Sequence, residues 1–123
     1  CHTEPLFTNN EFHNNGLKLD PYIKDYGRMQ ITNNPEDSLK FKVPTLRNIQ
    51  FTPPYMHDGR FETLKAVITH YSSGISHSTT LSERLKNNLD LTHKEKVDLL
   101  VFLRTLTDTD FLFNNRFSYP YIN

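Results

Sequence analysis

One cysteine, no tryptophan and four glycines in 123 residues narrow the chemistry before any motif is sought. A lone thiol, Cys1, cannot close an intrachain disulfide or build a multi-cysteine zinc cage. Net charge is missing as well, because 14 Lys and Arg balance 14 Asp and Glu. Without a basic stripe there is no footprint for tracking phosphates, so nucleic acid is not an expected partner. The longest fully apolar run, Leu99 to Leu103, is five residues, against about 20 for a helix that spans a bilayer. Apolar side chains make up only 36% of the chain and mean hydropathy is -0.62. A single domain of this length buries roughly two thirds of its unfolded surface. Such a lean composition points to a cofactor, a partner or a neighbouring domain that completes the core.

Residues 1 to 34 read as irregular, with turn chemistry at Asn9-Asn10, Asn14-Asn15-Gly16, Asp20-Pro21 and Asn33-Asn34 and no sustained helical period. Pro35-Glu36-Asp37 suits a single first turn of helix. Pro44 weakens a strand over Phe41 to Ile49. Leu64, Val67, Ile68 and Tyr71 fall on one face of a helix expected from about Thr63 to Tyr71, stopped by Gly74. A short helix is expected over Ser82 to Asn87, and a longer one over His93 to Thr105. Thr92 and Glu95 have capping-box spacing at the start of the longer one. Val97, Leu100, Leu103 and Leu106 form its buried stripe, widened by Leu99 and Phe102. The aromatic tail of Phe111, Phe113, Phe117, Tyr119 and Tyr121 lacks helical period and is expected to pack as an extended arm. All of this adds up to an all-α expectation, a few helices joined by long irregular loops in one domain spanning residues 1–123.

The chemistry starts at the first residue. Cys1-His2 has the form of the last two letters of a C-x-x-C-H haem attachment motif, in which the His coordinates iron. The same residue also admits a lipoprotein's acylated first cysteine, or a boundary without chemical meaning. The middle of the chain weighs these readings differently. Phe41 to Ile49 reads F-K-V-P-T-L-R-N-I, followed by Pro54-Tyr55-Met56-His57-Asp58-Gly59 and a helix opening at Thr63-Leu64. With Asp25-Tyr26-Gly27-Arg28, the Thr32 to Asp37 segment and Leu103-Arg104-Thr105-Leu106-Thr107-Asp108, these ordered blocks closely resemble the C-terminal haem domain of the bacterial di-haem cytochrome c peroxidases and the related methylamine-utilisation enzyme MauG. The likeness covers essentially the whole chain.

The resemblance implies a haem c domain with cytochrome c-like architecture, belonging to a larger protein whose N-terminal haem domain is absent from this sequence. It matches Cys1 to one thioether anchor and His2 to the proximal iron ligand. The distal ligand lies fourteen residues beyond the block's His; counted from His57 this is Tyr71, where the peroxidases carry Met and MauG-like members carry Tyr. A hard phenolate favours ferric and higher oxidation states, whereas a thioether favours reduced iron. The alternative for Tyr71 is plain packing on the core face of its helix. Met56 is a rival iron ligand on side-chain chemistry, and the family pattern assigns it to core filling. Met29, in the Asn-rich region, is expected to pack. His57 matches a family His near the haem edge, either a hydrogen-bonded structural residue or a redox-tuning one. Arg47 belongs to an L-R-N element and would pair with a haem propionate, or with a carboxylate in a structural ion pair. The family's structural calcium would use backbone carbonyls at Thr52 and Pro54, with its side-chain ligand outside this chain. His13, His70, His77 and His93 show no zinc-site spacing.

The implied activity is hydrogen peroxide-dependent oxidation in the periplasm. This domain would relay electrons or store oxidising equivalents between the N-terminal haem domain and an electron-donor protein or other reductant, and the isolated fragment would be inactive. The readings set against it are an electron-transfer cytochrome without peroxidase activity and a haem-free structural fragment. A homodimer and a lipid anchor at Cys1 stay open.

Overall fold

The structure, a computed structural model, describes residues 1–118. In chain order its elements are strand β1 (Phe12–His13), helix α1 (Met29–Thr32), strand β2 (Phe41–Lys42), helices α2 (Leu64–Ser73) and α3 (His93–Thr105), and the short helix α4 (Thr109–Leu112). Single 3-10 turns sit at Pro35–Asp37, Ile49–Phe51, Glu83–Leu85 and Asn115–Phe117.

The two long helices form where local signals agree. Thr63 caps α2, its hydroxyl accepting from the Ala66 amide, and the Gly74 amide closes the other end on the His70 carbonyl. The predicted capping box at Thr92 and Glu95 opens α3, satisfying amides that the first turn leaves without partners. Leu64 and Ile68 of α2 bury against Leu103 of α3, with Leu46, Ile49, Tyr55, Leu91, Leu99, Leu100 and Leu106 packed around them. The expected stripe on α3 is only partly buried. Val97 is 44% exposed and Phe102 47% exposed, because α2 and the 3-10 turn Ile49–Phe51 are the described elements that pack on α3 and they leave these side chains largely uncovered.

Several expectations give way. The fold is mixed α/β rather than all-α: β1 and β2 form a two-stranded antiparallel sheet with Phe12 opposite Lys42 and His13 opposite Phe41. Strands of two residues carry no period to read, and their partners lie far apart in sequence. Pro44 sits just past β2, so it removes no ladder donor, and the Val43 amide extends the pairing to the Glu11 carbonyl at 2.9 Å. Residues 1 to 34 therefore hold a strand and a one-turn helix, and Met29 is the first residue of that helix. The helix expected over Ser82 to Asn87 is a single 3-10 turn, Glu83–Leu85. The C-terminal aromatics do not run extended through Phe117. Asp108 caps α4 by accepting from the Phe111 amide, and Asn114 caps a 3-10 turn by accepting from the Arg116 amide. Tyr119 and Tyr121 lie outside the described residues.

Away from the helices the chain is organised by a buried asparagine. Asn14, 1% exposed, donates from Nδ2 to Ser78 Oγ and Thr80 Oγ1, both at 2.9 Å, and accepts from the Gly16 amide at 2.8 Å. Thr80 in turn donates to the Ser38 carbonyl at 2.7 Å. Three separate segments are thus joined by polar contacts, with Leu17, Val43 and Leu81 supplying the buried aliphatic side chains nearby in sequence. Gly16 has φ +71°, and a Cβ there would lie 2.5 Å from Ile75 Cγ2, so the turn requires glycine on both counts. Among the described residues no helix is long and apolar enough to cross a membrane.

Candidate functional site

The segment that begins at Cys1 is pinned by the Thr45-Leu46-Arg47 stretch. Thr45 Oγ1 donates to the Leu6 carbonyl at 2.6 Å, the Leu46 amide to the Phe7 carbonyl at 3.3 Å and Arg47 Nη2 to the Pro5 carbonyl at 2.8 Å. His2 joins this set, because its Nδ1 lies 3.1 Å from the same Phe7 carbonyl. A carbonyl oxygen only accepts, so Nδ1 carries the proton and Nε2 keeps its lone pair. Loss of hydration holds the His2 ring below the usual imidazole pKa, outweighing the Phe7 and Pro44 carbonyls that favour its protonated form. A neutral imidazole anchored through one nitrogen is the form in which histidine binds a metal through the other. Cys1 beside it is a free, half-buried thiol. It borders a groove of about 420 Å³ lined also by Phe12, His13, Asn14, Leu81 and Arg84.

The distal side is built by α2 and the loop after β1. Tyr71 points from α2 toward Asn15, whose Nδ2 donates to the phenol oxygen at 3.4 Å and to Met56 Sδ at 3.3 Å. Asn15 is held from two further directions: its side-chain oxygen accepts from the Leu17 amide at 3.2 Å, and its carbonyl accepts from His70 Nε2 at 3.0 Å. His70 is buried, with its ring against Phe61 and Tyr71. Burial raises the Tyr71 phenol above its usual pKa, against a smaller opposing effect of the Asn15 amide. Such a phenol stays protonated at neutral pH unless a cation lies beside its oxygen.

Asn14, Asn15 and His70 were not singled out as site residues by the sequence. Asn14-Asn15-Gly16 has ordinary turn composition, and His70 lies off the apolar stripe of α2. The usable signal was two adjacent asparagines before a glycine, since buried amides can replace a ladder of backbone bonds.

The remaining candidates separate into distinct places. His57 stacks on Phe41, with ring centroids 3.7 Å apart and planes 10° from parallel. Among the described residues its ring makes no hydrogen bond, so stacking positions it. Desolvation lowers its pKa, against the opposing charges of Asp58 and Asp25. Asp58 is itself paired with Arg60. Arg47 makes no ion pair among the described residues; beyond the Pro5 carbonyl, its remaining N–H donors are open to an anion. Thr52 and Pro54 are exposed, and no donor among the described residues addresses their carbonyls. Among the described residues no cluster of three His, Cys, Asp or Glu side chains could hold a metal ion. Cys1 and His2 share no hydrogen bond or ring contact with Tyr71, Met56 or His57 in this part of the chain.

The fold recurs in known proteins. A crystal structure of a MauG-like protein associated with microbial copper homeostasis superposes with a TM-score of 0.78 and 41% sequence identity, over 90% of this chain and 36% of that one. The cytochrome-c peroxidase IdrP1 of Pseudomonas sp. strain SCT is 43% identical over 83 residues, which is 68% of this chain and 22% of that protein. This chain belongs to the cytochrome c peroxidase and MauG family. The methylamine utilization protein MauG of Methylorubrum extorquens is 36% identical over 108 residues, covering 86% of this chain and 30% of its own length. No family model matches the chain. It spans only about a third or less of the curated peroxidase and MauG relatives to which it is compared.

Proposed function

We propose that this chain is the C-terminal haem c domain of a periplasmic di-haem oxidoreductase that uses hydrogen peroxide. In that protein it would relay electrons, or hold oxidising equivalents, for an N-terminal haem domain. The observation that carries the reading is the His2 ring, neutral and fixed through Nδ1 on the Phe7 carbonyl directly after Cys1. This donor set fits haem c: Cys1 as a thioether anchor, His2 Nε2 as proximal donor and the Tyr71 oxygen as distal donor. The shortage of buried aromatic side chains fits an interior completed by a cofactor. Bound haem iron would supply one-electron chemistry and the positive charge that makes a buried phenol a good donor.

The protein's own groups do the positioning. Phe7 fixes which nitrogen of His2 is free, and Asn15 aims the Tyr71 oxygen, while the Arg47 guanidinium, which makes no ion pair among the described residues, suits a propionate. With His2 and Tyr71 both serving as donors to the haem, this domain would act as the electron partner of the other domain. A structural calcium, if present in the whole protein, would take the Thr52 and Pro54 carbonyls and a side chain from outside this chain.

The test uses the whole protein with an intact C-x-x-C-H motif. The expected result is covalently bound haem by pyridine haemochrome assay, a six-coordinate ferric spectrum that changes in Tyr71→Phe, and peroxide-dependent oxidation of a reductant. Absence of covalent haem overturns the reading. Haem with no peroxide turnover leaves an electron-transfer cytochrome.

A further inference from the structure

The Asn15 amide nitrogen carries two hydrogens, and the two acceptors that receive them are Tyr71 oxygen at 3.4 Å and Met56 sulfur at 3.3 Å. These acceptor atoms therefore lie within about twice a hydrogen-bond length of one another. Both are known types of axial donor to haem iron, one hard and anionic when ionised, the other soft and neutral. Two observations bear on the placement of Met56. Its backbone has φ +74°, in the left-handed region that side chains other than Asn or Asp rarely adopt, a conformation shared in this chain by Phe7, Lys24 and Leu39. Its sulfur takes a hydrogen bond from a side-chain amide whose oxygen accepts from the Leu17 amide, on a residue whose backbone carbonyl accepts from the His70 ring.

We propose that Met56 is a reserve axial donor of the same site, held beside Tyr71 by the Asn15 amide and able to take the distal position when the Tyr71 oxygen is missing. This rests on the reading of Tyr71 as distal donor. Met56 lies on the loop before α2, fifteen residues before Tyr71 in sequence, so its approach does not require α2 to turn. The thioether would bring the preference for reduced iron that the phenolate lacks, and the substituted site would become an electron-accepting one of higher potential.

The whole haem-loaded protein tests this by absorption and by potentiometry, with peroxide turnover left aside. Tyr71→Phe should gain the far-red charge-transfer band of a thioether on ferric iron and a raised reduction potential. Adding Met56→Leu to Tyr71→Phe should abolish that band and lower the potential again. A Tyr71→Phe protein whose spectrum changes to that of five-coordinate iron, with no thioether band, overturns the proposal and leaves Tyr71 as the donor. An unchanged spectrum in Tyr71→Phe removes Tyr71 from the iron, and the proposal falls with it. A thioether band that survives Met56→Leu assigns the sulfur to another methionine and overturns it as well.

Discussion

The α2–α3 pair and the loops around Asn14 are held by different physics. Leu64, Ile68 and Leu103 bury aliphatic surface between two capped helices, so their stability comes from area removed from water and depends little on direction. The residues around Asn14 bury Leu17, Val43 and Leu81 too, but two buried hydrogen bonds of 2.9 Å, from the Asn14 amide to Ser78 and Thr80, tie together segments more than sixty residues apart. One region tolerates small shifts and the other does not, since a hydrogen bond weakens steeply when its geometry slips. The candidate site spans both, with Tyr71 on the aliphatic-packed α2 and Asn15 in the polar-tied loop.

Four perturbations break or sharpen this contrast. Ile68→Ala, at a side chain 4% exposed, should have the largest effect, a loss of about 2–5 kcal/mol in a urea titration of the chain. Asn14→Ala should cost about 1–3 kcal/mol, because the Gly16 amide loses its acceptor in a buried place. Its signature is local: faster amide exchange at Gly16, Ser76 and Ser82 with α3 unchanged. Equal acceleration in α3 would mean that the two regions unfold as one unit. Thr92→Ala removes the capping box and should lower stability by about 1 kcal/mol, with fraying confined to the first turn of α3.

The smallest effect is an acid one. Partial burial pushes the Asp37 carboxyl up, but the Thr32 hydroxyl, Arg28 and Lys40 outweigh it and hold it below its ordinary value. A carboxyl with a lowered folded-state pKa binds fewer protons than the unfolded chain does. Its contribution is therefore present at neutral pH and lost as pH falls through and below the ordinary carboxylate range. Asp37→Asn should flatten that part of the acid unfolding curve measured by circular dichroism.

Legibility followed the same division. The α3 boundaries, His93–Thr105, coincide with the capping box and the leucine period, and α2 begins and ends where Thr63 and Gly74 place it. These features act within a few residues of one another and leave a pattern in the sequence. The sheet was invisible, because Phe12–His13 and Phe41–Lys42 are too short to show alternation and meet only after the chain has turned back. Within the candidate site, Cys1, His2 and Tyr71 were nominated by the resemblance to the family's motifs. Asn15 and His70 were not, since the amide's role depends on where Tyr71 and Met56 arrive.

By itself the sequence determined the two capped helices, the aliphatic face between them and the residue types able to bind haem, since each follows from local chemistry at short spacing. Only the tertiary structure decided that the fold includes a sheet, that His2 is anchored through Nδ1 and that one amide faces both Tyr71 and Met56. Those are contacts between segments brought together by chain closure, and a directional hydrogen bond between distant residues leaves no period for the sequence to display.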